Sequence, residues 1–220
     1  MFKKLVVLNT LALSMLALSA TARAAALMGF ADSIMIMGEA GHDYQEVMMN
    51  YSPVVGHAFG IEHMRMEDKD GMQMSISAIN YTGLLQRWNM KGGQANLWFM
   101  GGVGHAYGDG DEGFAYTPSV QFDYETTRLY FLGKLRMMRG PDMNFDSASV
   151  QGGFSFYETG FDETQPWFVV EAKTMRNMEP AFQVTPALRL INKDYFLELG
   201  VSNPFDGEYR TPRINFMFVF

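Results

Sequence analysis

The sequence predicts an all-β fold, namely an antiparallel transmembrane β-barrel of twelve strands, within a range of eight to twelve. Three observations favour this fold. Apolar residues alternate with period two in nearly every segment after the first 24 residues, where helical periodicity is hard to find. Most of these segments have the roughly 9 to 11 residues that a tilted strand needs to cross a bilayer. After residue 24, no uncharged run reaches the length of about 18 residues that indicates a helical span.

The first 24 residues predict a cleaved signal peptide. Lys3 and Lys4 form a basic segment, residues 5–20 are apolar, and residues 22–24 (Ala-Arg-Ala) match the small-x-small pattern of a cleavage site. We therefore expect an exported chain with a single domain over residues 25–220. Because the chain contains no cysteine, this domain cannot be stabilised by disulfides.

The predicted mature domain is acidic. Without the three basic residues of the leader, the 17 Lys and Arg of the chain fall to 14, against 24 Asp and Glu, which leaves a formal charge of −10. A protein that binds nucleic acid usually carries a basic patch, so we expect no nucleic-acid partner. With 48% hydrophobic and 14% aromatic residues, the composition also excludes a long disordered chain.

Twelve segments with alternating faces are the candidate strands. In one clear example, Leu129 and Phe131 share one face, whereas Tyr130 and Leu132 share the other. Pro186 lies near the middle of a candidate strand and predicts a bulge, a bend or a different strand boundary, because proline cannot donate a ladder hydrogen bond. The candidate strands lie near residues 33–39, 43–51, 57–66, 71–81, 94–105, 114–124, 126–138, 147–157, 165–175, 181–191, 194–203 and 208–220.

Polar stretches between these segments predict the turns and loops. If the first strand begins at the periplasmic side, two inner connections are very tight, at 123–127 and 192–193. A longer inner connection is expected at 86–93. Short inner turns with longer outer loops are typical of transmembrane barrels. The expected outer loops are 67–70, 106–113, 139–145 and 203–208.

Charged residues within the candidate strands are expected to face the interior. A Lys or Arg on the lipid side near the midplane costs about 2 to 4 kcal/mol, so alternation should place such residues in the lumen. With twelve or fewer strands, paired charges can plug the interior or line a narrow passage. The expected lumen charges are Glu46, Glu62, Lys134, Arg136, Glu171, Lys173, Arg189, Glu198 and Arg213.

The last candidate strand ends with the sequence RINFMFVF. Phe216, Phe218 and Phe220 share one face of this strand with Ile214. The strand is similar to the C-terminal assembly signal of Gram-negative outer-membrane β-barrels. Together with the leader, the acidic charge and the alternating strands, it makes the whole mature chain resemble that class. The resemblance implies an outer-membrane location, contact with outer-membrane lipid, and recognition of Phe216, Phe218 and Phe220 by the barrel assembly machinery.

Methionine is unusually frequent, and all four histidines lie in the first half of the chain. Of the 19 methionines, 17 follow the leader. Thioether and imidazole groups together favour a soft ion, above all Cu(I), and predict a metal site at the outward ends of neighbouring hairpins. The alternative is that methionine is an apolar filler on lipid-facing or core positions. The candidate ligands are His42, His63, His105, Met37, Met64, Met66 and Met72.

No catalytic motif accompanies this architecture. The sequence lacks a nucleophile elbow, a phosphate-binding glycine loop before a helix, and a zinc-spaced Cys or His set. We therefore predict a non-enzymatic protein without a cofactor other than the candidate copper ion. The leading hypothesis is an outer-membrane barrel that acts as a narrow channel for a small solute or as a surface-exposed structural protein. The alternatives are a copper-binding or copper-handling barrel and a soluble periplasmic β-barrel that binds an apolar ligand inside.

Overall fold

A computed structural model describes residues 30–42, 44–160 and 162–220, so the predicted signal peptide at 1–24 lies outside the described residues. Within these ranges the chain is all β, and no helix among them is long and apolar enough to cross a membrane. The strands form one antiparallel sheet that follows the order of the sequence. This sheet closes on itself because the first strand pairs with the last, with Met35 opposite Val219.

Twelve strands build the wall of the barrel in the described part of the chain. Each corresponds to one predicted segment, so the predicted fold class and strand number are confirmed. The strands are β1 (Ser33–Ala40), β2 (Tyr44–Val54), β3 (His57–Glu67), β4 (Gln73–Met90), β5 (Gly93–Gly108), β6 (Gly113–Tyr116 continued by Ser119–Thr126), β7 (Leu129–Gly140), β8 (Met143–Ser155), β9 (Gln165–Met175), β10 (Phe182–Ile191), β11 (Tyr195–Ser202) and β12 (Thr211–Val219).

Strand β6 has two segments because its ladder is interrupted at Thr117 and Pro118. Proline has no N–H group to donate. The interruption is local, since the Thr117 N–H donates to the Gly102 carbonyl at 2.9 Å and the Met137 N–H donates to the Pro118 carbonyl at 2.9 Å. Both segments lie between β5 and β7, so together they occupy one strand position in the wall.

The connections differ between the two ends of the barrel. Phe220 and the start of β1 lie at the same end, which we call the inner end, and the opposite end is the outer end. Three inner connections have only two residues each, at 55–56, 91–92 and 127–128. The inner connection from β8 to β9 is longer. In the described residues, the inner and outer connections therefore differ less in length than the sequence predicts.

Strand β4 is longer than expected. Residues 86–93 are predicted to be a connection, but β4 continues to Met90 and changes register between Leu84 and Gln86. At about 3.3 Å per residue, 18 residues are more than a bilayer requires. The polar residues at the inner end of β4 therefore extend the wall beyond the apolar band, and their polarity resembles that of a loop.

Two predicted outer loops are also shorter in the structure. Residues 106–113 shorten to a connection at 109–112, and residues 139–145 shorten to a two-residue turn at 141–142. In the second case, Met143 and Phe145 are buried in the interior, which keeps the chain in the wall of the barrel. Alternation continues through these segments, but charged residues and proline at their tips obscure it.

Pro186 interrupts one of its two ladders. On the β9 side, Pro186 lies opposite Val170 without a register shift, whereas the pairing with β11 begins only at Ala187. On the other side of the proline, Asn203 replaces the missing ladder. Its N–H donates to the Val184 carbonyl at 2.8 Å, and its Oδ1 accepts from the Val184 N–H at 3.0 Å. At Pro186, where the sequence predicts a bulge, a bend or a different boundary, the structure therefore shows a local loss of pairing between β10 and β11.

The exterior of the barrel is apolar. Ile79, Leu135 and Leu199 point outward and are 67%, 64% and 54% exposed, and Phe131 and Phe154 also lie on this face. Monomeric soluble proteins rarely expose so much contiguous apolar surface, whereas a transmembrane barrel requires it. The alternative of a soluble barrel with an apolar cavity does not fit this arrangement, because the apolar faces point away from the interior.

Gly60 is required for the close approach of β2 and β3. A Cβ atom at this position would overlap the Met49 carbonyl oxygen and the Asn50 side chain. We expect Gly60→Ala to lower the free energy of unfolding by about 1 to 3 kcal/mol, as is typical of overpacking. Gly152→Ala is the matched control, because a Cβ there meets nothing within 4 Å. Urea titration in lipid vesicles measures the free energy of unfolding of both variants. Equal losses of stability would contradict the role of Gly60 in the close approach of β2 and β3.

Candidate functional site

The interior of the barrel is divided into three layers. The outer layer, which we call the methionine layer, contains Met64, Met66, Met74, Met138, Met143, Met175 and Met178 with Tyr44, Ile76, Phe145 and three alanines. The inner layer is aromatic and aliphatic, and includes Trp98, Tyr130, Trp167 and Phe196. Between them lies a cavity of about 150 Å³ lined by charged side chains, which we call the charged chamber.

Glu198 is the centre of one buried ion network beside the chamber. Its side chain is fully buried, and its two carboxylate oxygens accept from Arg189 at 2.6 Å and from Arg213 at 2.7 Å. Arg213 also pairs with Glu171. Arg189 also donates a hydrogen bond to Gln151 at 2.6 Å. Because each charge has an opposite charge in contact, the network avoids the cost of an isolated buried ion.

The planar guanidinium of Arg189 is also held by two aromatic rings. Its carbon atom lies 4.7 Å from the ring centroids of both Tyr130 and Phe196. Such cation–π contacts are stronger when the cation is desolvated. The chamber and the aromatic layer are therefore connected through one side chain.

Arg136 is the centre of a second network on the opposite wall. Its guanidinium lies 2.8 Å from Glu46 and 3.7 Å from Glu62, and it donates to the Tyr44 hydroxyl at 2.9 Å. Glu62 in turn accepts a hydrogen bond from the Thr117 hydroxyl at 2.6 Å. The same Arg136 donates toward the Met64 sulfur at 3.0 Å, which connects this network to the methionine layer.

The structure places all nine predicted lumen charges on the interior side of the wall. Besides the two networks, Lys173 pairs with Glu39 at 3.3 Å, and Lys134 lines the chamber. Three further acidic residues that were not predicted also lie in the interior: Glu39, Asp123 and Glu125. Asp123 is buried, and it accepts hydrogen bonds from Trp98 Nε1 at 2.8 Å and Asn96 Nδ2 at 2.7 Å. Asp123 falls in both the predicted strand 114–124 and the predicted connection 123–127, and alternation with Phe122 indicates the interior face.

Several buried polar groups of the inner wall have no protein partner. The Oδ1 of Asn50, the hydroxyls of Ser52 and Ser119, and both amide atoms of Asn80 lack a hydrogen-bond partner among the described residues. Buried polar groups of this kind are normally satisfied by water. We call these four residues the polar track. It lies on β2, β4 and β6, and Asn80 and Ser119 border a second cavity of about 10 Å³.

The seven candidate metal ligands do not form one site. His63 and His105 point outward, where His63 contacts Ser77 at 3.0 Å and His105 lies 3.8 Å from Glu112. Met64 and Met66 point into the barrel, because successive residues of a strand alternate between its faces. The other three are also dispersed: His42 and Met72 lie on outer connections, and Met37 lines the chamber. In the described ranges, no group of three His or acidic side chains is arranged to hold a metal.

The predicted assembly signal forms the outward face of β12. Phe216 and Phe218 lie on this face with ring centroids 5.9 Å apart, and Phe216 covers Gly38 of β1. Phe220 extends the β12–β1 seam, since its N–H donates to the Ile34 carbonyl at 2.8 Å and its carbonyl accepts from the Ile34 N–H at 3.0 Å. The aromatic side chains thus lie beside the strand pair that closes the barrel.

Comparison with known proteins identifies the architecture. No protein-family model matches the chain, and the comparison with curated proteins also finds no match. Among solved structures, LpxR from Salmonella typhimurium is 8% identical, with a TM-score of 0.52 over 86% of this chain and 99% of that chain. The KdgM porin is 12% identical, with a TM-score of 0.48 over 86% and 99% of the two chains. The NanC porin is 10% identical, with a TM-score of 0.46 over 84% and 98%.

At such low identity, a likeness shows the fold alone. Pairing of β1 with β12, the strand number and the apolar exterior agree with that likeness. The chain therefore has the fold of a Gram-negative outer-membrane β-barrel, closed by twelve antiparallel strands.

Proposed function

We propose that the chain is a non-enzymatic outer-membrane protein whose interior is a narrow passage for small polar or ionic solutes, closed in the state described above. The charged chamber is the observation that carries this proposal. Replacing buried ion pairs by apolar side chains is often neutral or stabilising, so a barrel with a purely structural role has no need of them. A passage for polar solutes needs polar groups along its wall, and the charged side chains among those that line the chamber supply them.

Two features of the interior support a hydrated path. The polar track carries buried groups that need water, and Met48 lines both the chamber and the small cavity beside Asn80 and Ser119. The methionine layer closes the outer end with unbranched side chains, each with three rotatable bonds, which change conformation more readily than branched residues. We propose that this layer acts as the gate of the passage.

We also propose that the leader and the C-terminal strand bring the protein to the outer membrane. The leader at 1–24 would direct export, and the face formed by Phe216, Phe218 and Phe220 would be read by the barrel assembly machinery. The apolar exterior would then contact outer-membrane lipid. A non-enzymatic role agrees with the interior carboxylates, because Glu46, Glu171 and Glu198 are held in ion pairs with arginines.

The gate is tested by planar-bilayer recording. We expect the triple variant Met64→Ala, Met66→Ala, Met74→Ala to raise single-channel conductance above that of the wild type, because it removes long side chains that close the outer end. The matched control is Met49→Ala, Met90→Ala, Met137→Ala, which shortens three exposed methionines of the exterior. A correctly folded gate variant that conducts no better than this control would contradict the passage.

A further inference from the structure

The methionine layer has a composition that simple space filling does not explain. Its seven methionines come from five strands and one outer connection, and each is at most 5% exposed. Among the described residues, this cluster contains no Leu or Val, whereas the clusters at the inner end are built from Trp, Tyr, Phe, Val, Ile and Ala with one buried methionine, Met35. Thioether groups are therefore concentrated in one layer, and lipid contact cannot account for them.

We propose that this layer binds a soft monovalent cation, Cu(I) or its analogue Ag(I), through the thioether sulfurs of Met66, Met74 and Met143. Thioethers are soft, uncharged ligands that select such ions over hard cations, which prefer oxygen. The ligand set differs from the one predicted from sequence, because it contains no histidine and lies wholly inside the barrel. The site concerns binding alone, and it does not depend on whether the passage conducts.

Met66 and Met74 are brought together by strand pairing. They lie directly opposite each other on β3 and β4, and both side chains point to the interior. Directly opposed residues of an antiparallel pair have Cβ atoms about 4.5 to 5.5 Å apart. Two flexible thioethers at this separation can therefore reach one ion.

Met143 follows the turn between β7 and β8 and belongs to the same buried cluster as Met66 and Met74. A Cβ atom on Gly110 would lie 3.4 Å from the Met74 sulfur and 3.1 Å from Asp142, the residue that precedes Met143. Asp142 also accepts a hydrogen bond from the Asp111 N–H at 2.9 Å, which holds the two outer connections together. Met64 is left out of the ligand set because its sulfur faces the Arg136 guanidinium.

The outer rim above these sulfurs is acidic. The connections 68–72 and 109–112 carry five carboxylates and one lysine, and Asp142 adds another carboxylate at the neighbouring turn. Lys69 is itself paired with Asp70 at 2.7 Å. A concentration of negative charge at an opening raises the local concentration of cations. The acidic rim and the thioether layer therefore favour the same kind of ligand.

The experiment is an Ag(I) titration of the refolded protein in detergent, followed by NMR of methionine methyl groups labelled with ¹³C. We expect saturable shifts for Met66, Met74 and Met143 and unchanged signals for the exposed Met49, Met90 and Met137. The triple variant Met66→Leu, Met74→Leu, Met143→Leu should weaken binding on the order of tenfold or more. Leucine is close to methionine in volume, so the variant should still fold.

The control variant is Met49→Leu, Met90→Leu, Met137→Leu, which should bind Ag(I) as the wild type does. Heat-modifiable migration on a detergent gel verifies that each variant is folded. Unchanged affinity of the interior variant, or equal shifts of interior and exterior methyl groups, would overturn the proposal. Conductance of the same samples is recorded separately, so loss of Ag(I) binding and loss of the passage are distinguishable.

Discussion

Replacing Glu198 by alanine is expected to lower the free energy of unfolding by about 3 to 5 kcal/mol, the cost of removing one partner from a buried ion pair. The carboxylate is fully buried and pairs with both Arg189 and Arg213. After its removal, Arg213 keeps Glu171, but the partners of Arg189 among the described residues are reduced to Gln151 and two aromatic rings. The main effect is therefore an uncompensated positive charge at Arg189.

The measurement is urea unfolding of the refolded protein in lipid vesicles, where the midpoint and slope give the free energy of unfolding. Glu208→Ala, on the exposed outer connection from β11 to β12, is the control and should change stability by less than about 0.5 kcal/mol. The double variant Glu198→Leu, Arg189→Met should recover much of the loss, because it leaves no isolated charge at Arg189. Equal stability of Glu198→Ala and the control would show that the network has no role in stability.

The strands could be predicted because every strand of a barrel wall alternates between an exterior and an interior face. Lipid outside and packed side chains inside impose period two on every strand, so Phe131, Phe154 and Leu199 identify the exterior face directly. Strand ends were harder to predict. Beyond the apolar band, both faces of a strand contact water or the rim, as in Gln86 to Met90 of β4, and the alternation that marks a strand is lost.

The interior site was only partly predictable for a related reason. Alternation shows that Met64 and Met66 share a face, but it does not show which face, because methionine suits lipid and core equally. Glu62 shares their face and is buried, but Arg65 on the opposite face of β3 is exposed, so a charged residue alone does not define the interior side. The approach of both Met74 and Asp142 to Gly110 depends on barrel closure and loop geometry, and no local pattern contains that information.

The register between neighbouring strands sets the same limit for the charges. Each of the nine predicted residues carries its own alternation signal, whereas the choice of Glu198 as the shared partner of Arg189 and Arg213 depends on the strand register. Glu198 lies opposite Arg189, and Arg213 lies opposite the neighbouring Gly200. A register shift of one residue would move these side chains to the exterior face. The ion network therefore depends on the strand register, and a single sequence does not define that register.

Arginine at position 150 tests the environment of the exterior face. Val150 points outward from β8, is 52% exposed and lies between Gly133 and Ala172 of the adjacent strands. If this face contacts hydrocarbon, Val150→Arg should lower the free energy of unfolding in vesicles by about 2 to 4 kcal/mol, since a charge near the midplane of the bilayer is poorly solvated.

Val55→Arg is the matched control, because Val55 is 57% exposed but lies in the two-residue inner turn outside the strands. The same substitution there should change stability by less than about 0.5 kcal/mol, because arginine in the turn remains in water. The contrast separates lipid from water as the medium around the barrel, since both valines are similarly exposed. If the two variants were equally stable, β8 would face water, and the apolar exterior would then be a surface for association with another protein.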